Sequence, residues 1–226
     1  MRPVSVIPAR ASTRVAGLLE PAGWRAERAP AGWAGDPAAA LRLAGTGRWV
    51  VFVPRRASVP GAIRRIVVIH GGSRAERAAM DAADAAAVAT GAEIVVLHVP
   101  SASSPGDAAS LPFGLGDHPE YDIDDWRDEF ARRFCRCSED VTVSLRVANG
   151  SPAKSVPLQA REAQASLLIG AVGNRSDYGP SGTLEAILEA SPCPVLFVPA
   201  AGVAIKTEPP QVDQSRHLRN RIACGA

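Results

Sequence analysis

Short apolar runs alternate with amphipathic stretches along most of this chain, from about residue 63 to residue 199. Four of the runs are continuous and rich in Val, Ile or Leu, at residues 66–69, 94–99, 167–169 and 195–198. Runs of this kind are typical of parallel strands that are buried on both faces. A fifth stretch, residues 141–147, alternates apolar and polar positions, which predicts a half-exposed strand.

Amphipathic or alanine-rich stretches between these runs predict four helices, over residues 74–90, 123–136, 152 onward and 181–190. Gly91 is a natural stop for the first helix. Ser151 stands in the N-cap position of the third helix, and Pro157 is expected to end or kink its first turn. The fourth helix is expected to bury three apolar side chains, those of Leu184, Ile187 and Leu188.

Strands that alternate with helices predict an α/β fold, here a doubly wound, five-stranded parallel sheet with helices on both faces and right-handed crossovers. Ligands of such sheets bind beyond the carboxyl ends of the strands. Two glycine-bearing loops follow strands in this chain, residues 70–73 and 170–183. Glycines let the backbone approach a phosphate, and free N–H groups at a helix start attract negative charge. The loop at 170–183 is therefore the candidate phosphate site.

The two ends of the chain differ from this middle part. Residues 1–60 are expected to form an N-terminal extension to a domain at 61–200, and the polar tail at 201–226 is expected to be disordered. Within the extension, residues 36–53 predict a helix and a strand, whereas residues 1–34 have no clear period. GDPAAALRLA echoes the later GSPAKSVPLQA, and VVFVPRR echoes VLFVPAA. Three explanations of these similarities remain open: a remnant of a second copy of the domain, an extra strand added to the sheet, or chance.

Composition narrows the class of protein. The 226 residues are 46% apolar and 21% charged with a net charge of +2, which favours a soluble globular protein without strong attraction to nucleic acid or membrane. The N-terminus carries Pro and Arg where a secretory signal needs an apolar stretch, so a cytoplasmic protein with reduced thiols is expected. Cys135 and Cys137 have no second pair at zinc spacing, and no metal site is predicted.

Several motifs between residues 63 and 199 resemble those of the universal stress protein family. They are a first strand ending in Gly72-Ser73, LHV at 97–99, GSPA at 150–153, G-x-x-G at 170–173, Gly182-Thr183, and PCPVLFVP at 192–199. The resemblance implies the doubly wound fold of adenine nucleotide alpha hydrolase-like proteins. It also implies a homodimer through the last strand, between Val195 and Val198, and a protein partner that the sequence does not identify.

Some members of that family bind ATP and others do not. The ATP-binding pattern is G-x2-G-x9-G-(S/T), together with an Asp at the end of the first strand. Matched by position, the resemblance assigns this pattern to Gly170, Gly173, Gly182 and Thr183. Eight residues rather than nine separate Gly173 from Gly182. The position of the Asp is occupied by Gly71. The remaining residues expected to offer backbone groups to a nucleotide are Val99, Asn174, Arg175 and Leu184.

The sequence thus predicts a regulatory protein that binds ATP without significant catalysis, and no residue is assigned a catalytic role. An interaction module without nucleotide is the alternative, because Gly71 replaces the Asp and Tyr178 and Pro180 stiffen the shortened loop. A remote alternative is a small hydrolase that uses Ser73 in the His70-Gly71-Gly72-Ser73 turn. No G-x-S-x-G motif supports that reaction, and Ser73 is more simply read as a helix N-cap.

Overall fold

A computed structural model describes residues 1–7, 11–29, 36–71, 76–98, 123–148, 150–172 and 182–200. They form one eight-stranded sheet with the order β2-β1-β3-β8-β7-β4-β5-β6. The strands are β1 (Arg2–Ile7), β2 (Trp24–Arg28), β3 (Val50–Phe52), β4 (Arg65–His70), β5 (Glu93–His98), β6 (Val143–Val147), β7 (Leu167–Val172) and β8 (Val195–Pro199). The α/β class is confirmed, and the five predicted strands lie side by side as β8-β7-β4-β5-β6, all parallel.

Six helices cover the two faces of the sheet in the described part of the chain. They are α1 (Ser12–Leu19), α2 (Pro37–Gly45), α3 (Arg77–Thr90), α4 (Ile123–Phe134), α5 (Pro152–Glu162) and α6 (Thr183–Ala190). Buried side chains of α1, α3 and α4 pack on one face, and those of α2, α5 and α6 pack on the other. None of the described helices is long and apolar enough to cross a membrane.

The N-terminal extension belongs to the same sheet. The described residues among 1–34, in which no clear period was found, contribute β1, α1, a short 3-10 turn and β2. The strand predicted near Trp49 forms as β3, which pairs with β1 on one side and with β8 on the other. The β3–β8 pair is antiparallel, whereas β2-β1-β3 are parallel to one another. The sheet therefore consists of two parallel blocks that run in opposite directions.

The homodimer through the last strand stays a prediction, and it would need an edge of β8 that is already paired within the chain. Phe52 lies opposite Val195, and Val50 lies opposite Phe197, so β3 of the same chain occupies the edge that a second copy would need. The other side of β8 is taken by β7. Because both sets of backbone groups are already paired, a partner cannot add a strand at β8 in this arrangement.

Two local details of α5 bear on the sequence-based expectations. Pro157 lies inside the helix, which continues to Glu162 rather than ending at the first turn. The side chain of Ser151 makes no capping hydrogen bond, although the residue stands at the N-cap with extended backbone. In α2, by contrast, Asp36 at the N-cap accepts a hydrogen bond from the Ala39 N–H at 2.6 Å.

Replacement of Asp36 by Ala should therefore lower the free energy of unfolding by about 1 kcal/mol, since an N–H of the first turn loses its acceptor. Ser151→Ala is the matched control, because no side-chain capping bond is lost there. Urea unfolding of both variants measures the difference. Equal effects in the two variants would contradict the assigned role of Asp36.

Candidate functional site

The carboxyl ends of β4 and β7 form the switch point of the larger parallel block. From β4 the chain passes through α3 on one face to β5, whereas β7, on the other side of β4, is reached through α5 on the opposite face. A crevice is expected at such a point, because the two connections leave in opposite directions. Gly71 follows β4 there and is half-buried, and β7 ends at Val172.

The start of α6 brings three of the predicted residues to the same edge. Gly182 is the N-cap residue of α6, with φ +98° and ψ −17°, and its carbonyl accepts a hydrogen bond from the Ala186 N–H at 2.9 Å. A left-handed backbone of this kind favours glycine. Thr183 is half-buried, and the side chain of Leu184 is buried, so Leu184 can offer only its backbone N–H to a ligand.

Gly170 has a different place from the one predicted. It lies inside β7, opposite Phe197 of β8, rather than in the loop. A Cβ atom at Gly170 would approach the Phe197 ring at 3.4 Å and the Ile69 side chain at 3.7 Å. These are ordinary van der Waals distances, so Gly170 is a packed position within the sheet, and β7 continues to Val172.

The other predicted contacts fall outside the described residues. These are Val99, Gly173, Asn174 and Arg175, together with Ser73 of the hydrolase alternative. The described part of the site thus consists of the end of β4, the end of β7 and the first turn of α6. It offers backbone N–H groups, the Thr183 hydroxyl and the exposed carboxylate of Glu185 in the first turn of α6, whereas the imidazoles of His70 and His98 are buried.

A buried polar cluster beside this edge was not predicted as a unit. His70 and His98 end the neighbouring strands β4 and β5 and stand opposite each other. Nδ1 of His98 donates to the His70 carbonyl oxygen at 2.8 Å, which requires the proton on Nδ1. Nδ1 of His70 contacts Oε2 of Glu76 at 3.1 Å, and both side chains are only 1% exposed. The cluster therefore ties the end of β4 to the residue that precedes α3.

Aromatic rings of α4 close this cluster on the outer side. The centroid of Phe134 is 4.9 Å from that of His70, and the centroid of Phe130 is 4.9 Å from that of His98. Burial, with a smaller contribution from His98, lowers the pKa of His70 from 6.5 to about 4. The imidazole is neutral at pH 7, so its contact with Glu76 is a hydrogen bond rather than an ion pair.

This arrangement indicates a structural role for both histidines. Burial also lowers the pKa of His98, against the opposing effect of its hydrogen bond to the His70 carbonyl. Neither imidazole reaches solvent, which removes both as an accessible base for a hydrolase. The signal in the sequence was an acidic residue, Glu76, six positions after a strand-ending His across a glycine turn. That spacing alone does not reveal burial or contact.

The cysteine pair, Cys135 and Cys137, lies at the end of α4. Burial raises the pKa of Cys135 to about 12 and that of Cys137 to about 11, helped by neighbouring negative groups. Both free thiols are therefore protonated near neutral pH. Within the described ranges, no group of three or more His, Cys, Asp and Glu side chains is arranged to hold a metal ion.

Comparison with known proteins agrees with this fold. The family model described as "Universal stress protein family" matches residues 62–199. A universal stress protein from Archaeoglobus fulgidus DSM 4304 has a TM-score of 0.51 at 15% identity, over 88% of this chain and 86% of that one. Among curated proteins, no significant match is found.

Two further similar structures contain nucleotides. A universal stress protein in complex with cAMP has a TM-score of 0.42 at 22% identity, over 61% of this chain and 97% of that one. The universal stress protein from Archaeoglobus fulgidus in complex with dAMP has a TM-score of 0.38 at 18% identity, over 60% and 97%. The family model covers more than half of the sequence and coincides with the block from β4 to β8. The chain therefore belongs to the universal stress protein family.

Proposed function

We propose that this protein is a regulatory universal stress protein that binds an adenine nucleotide, ATP in the first instance, at the carboxyl edge between β4 and β7. The observation that carries the proposal is the start of α6, which begins at a left-handed Gly182; no atom of the described residues lies within 4 Å of where a Cβ would stand there. The N–H groups of a first helical turn have no partner within the helix, and they can donate to a phosphate.

Binding would rest on the backbone. The N–H groups at residues 182–184 point out of the start of α6, and the Thr183 hydroxyl adds a donor. Glu76, the acidic residue that follows β4 and Gly71, does not replace the missing Asp, because its carboxylate is buried against His70. The site therefore lacks the usual carboxylate contact to the nucleoside, and weaker selection for the sugar is expected.

Binding without significant catalysis is expected, because the two histidines nearest the described part of the site are buried and have lowered pKa values. The exposed acid in that part of the site is Glu185, in the first turn of α6. The cAMP and dAMP complexes of two similar proteins indicate which ligands should be tried beside ATP. A nucleotide held at the start of α6 would act by changing the contacts of this edge with a partner protein.

Calorimetric titration of the full chain with ATP tests the proposal, and a dissociation constant well below millimolar is expected. Affinity no tighter than about millimolar would refute nucleotide binding as the function. cAMP and dAMP in parallel titrations measure how far the site depends on the phosphate chain.

Gly182→Val should weaken ATP binding by about tenfold or more, since a branched side chain at φ +98° distorts the turn that presents the N–H groups. Gly91→Val is the matched control. Gly91 also has a left-handed backbone, with φ +68°, and open space around it, but it ends α3 and lies away from the site. Equal loss of affinity in both variants would show that the effect is not local.

An interaction module without nucleotide is the second candidate function. It is favoured by Gly71, which leaves the end of β4 without the carboxylate of ATP-binding relatives. In that case the full chain would bind neither ATP nor cAMP nor dAMP, and Gly182→Val would leave binding of a protein partner unchanged.

A further inference from the structure

An open crevice of about 1330 Å³ lies beyond the carboxyl end of β3. This end of the sheet is opposite to the one that carries Gly71 and Gly182. The floor of the crevice is apolar. Phe52 ends β3 and Val53 and Pro54 continue it, and all three are buried residues, as is Ala11 at the start of α1. The volume exceeds that of ordinary small-molecule sites, so a ligand of nucleotide size would fit.

Three arginines line the crevice, Arg14 from α1 and Arg55 and Arg56 from the segment after β3. All three are exposed, and none of them makes an ion pair or a side-chain hydrogen bond with any residue that the structure describes. Arg65 and Arg77 elsewhere in the chain do pair, with Glu93 and Asp81. Guanidinium groups that share a crevice and lack carboxylate partners are well suited to phosphate.

Two carboxylates line the same crevice. Asp36 is already used, because it caps α2 through the Ala39 N–H, and the positive end of the helix dipole offsets its charge. Glu189 lies near the end of α6, and no ion pair of it occurs among the described residues. The lining thus carries three positive and two negative side chains. Because the charge of Asp36 is offset by the helix, Glu189 is the main negative charge that would repel a bound anion.

The topology provides an independent reason to expect a ligand here. In the smaller parallel block, α1 follows β1 on one face of the sheet and α2 precedes β3 on the other face. The carboxyl ends of β1 and β3 therefore form a second switch point, and the crevice lies there. Because β3 is antiparallel to β8, this point is at the opposite edge from Gly71 and Gly182.

We propose that this crevice is a second binding site, which takes a ligand with a polyphosphate chain. Arg14, Arg55 and Arg56 would hold the phosphates, and Phe52 and Pro54 would contact an organic group attached to them. The site is built by the N-terminal extension and α6, and it neither uses nor requires the glycine loop of the first site. The extension would then give the chain a second ligand, besides covering the edge of β8.

Titration of the full chain with inorganic tripolyphosphate at low salt tests the arginines. The triple variant Arg14→Gln, Arg55→Gln, Arg56→Gln should weaken binding by about tenfold or more, as charge-assisted contacts are lost. The matched control replaces Arg42, Arg146 and Arg161 by Gln. These three are also exposed and without described side-chain bonds, so the net charge falls equally. Absence of binding by the unmodified chain, or equal weakening in both triple variants, would overturn the proposal.

Glu189→Gln tests the sign of the electrostatic effect. Removing a negative charge from the lining should tighten tripolyphosphate binding, by about twofold to fivefold at low salt. A purely structural role of Glu189 would leave the affinity unchanged or weaken it, and either result would contradict the assigned geometry. Gly182→Val should not change tripolyphosphate binding by this crevice, which separates the second site from the proposed nucleotide site.

Discussion

Removal of residues 1–60 is expected to convert the chain into a dimer or a larger assembly. The truncation takes away β3, and with it the pairing partner of Val195, Leu196 and Phe197 on one side of β8. It also uncovers α6, against which α2 packs. An unpaired, fully apolar strand at an edge is a template for pairing with another chain, and natural sheets rarely leave one exposed.

Gel filtration with light scattering of the full chain and of a 61–226 chain measures this effect. In the full chain, copies should not pair through β8. The 61–226 chain should instead form a species whose measured mass is about twice that of one 61–226 chain, or more. Co-expression of residues 1–60 with 61–226 is the control, and it should restore the smaller species by refilling the edge. A well-behaved monomer of 61–226 would contradict the assigned role of β3.

Acidification from pH 7 to pH 5 is expected to cost roughly 2 kcal/mol of stability through His70 alone. The pKa of this imidazole is about 4 in the folded protein and 6.5 as a free side chain. As the pH falls below 6.5, the unfolded chain binds the proton first, so the unfolded state is favoured. The contribution is therefore complete above pH 6.5 and is lost progressively towards pH 4. His98 acts in the same direction, because its pKa is lowered as well.

Urea unfolding at pH 7 and pH 5 measures this loss. His70→Gln removes the titrating group, while the amide of the new side chain can still donate to Glu76. The stability that this variant loses between pH 7 and pH 5 should be smaller than that of the unmodified protein by roughly 2 kcal/mol. The variant is expected to be less stable at pH 7, so the test is the difference between pH values and not the absolute stability. The same pH dependence in both proteins would show that His70 does not have a lowered pKa.

The larger block of the fold could be predicted from the sequence because its strands are continuous apolar runs. Strands β4, β5, β7 and β8 are buried on both faces, and such runs are hard to accommodate in any other way. The half-exposed β6 was predicted from its alternation. Each of these signals is local, and so it can be detected without knowledge of the neighbouring strands.

The N-terminal strands carried no comparable signal. The sequence of β2, WRAER, is largely polar, because this strand lies at the edge of the sheet and only Trp24 is buried. In β1, Pro3 and Ser5 interrupt the apolar residues. Such strands are stabilised by the partners that they pair with and by packing, for example of Trp24 against Trp49 at 5.8 Å between ring centroids. Pairing of this kind joins residues far apart in the sequence.

The candidate nucleotide site was only partly accessible from the sequence. Gly182 and Thr183 were placed correctly at a helix start, since a glycine before an amphipathic stretch is a local signal. Gly170 was assigned to the loop, although it lies inside β7 and pairs opposite Phe197 of β8. The motif gives the residue types and their spacing, but it does not tell where the strand ends.

Local sequence patterns were enough to infer the α/β class, the succession of strands and helices from β4 to β8 and the family. These follow from periodicity and short motifs, which depend on neighbours along the chain. The three-dimensional arrangement was needed to show that β3 covers β8, that His70 and Glu76 are buried together, and that Arg14 and Arg55 line one crevice. Each of these depends on the order and direction of strands in the sheet, which long-range packing sets and no local pattern encodes.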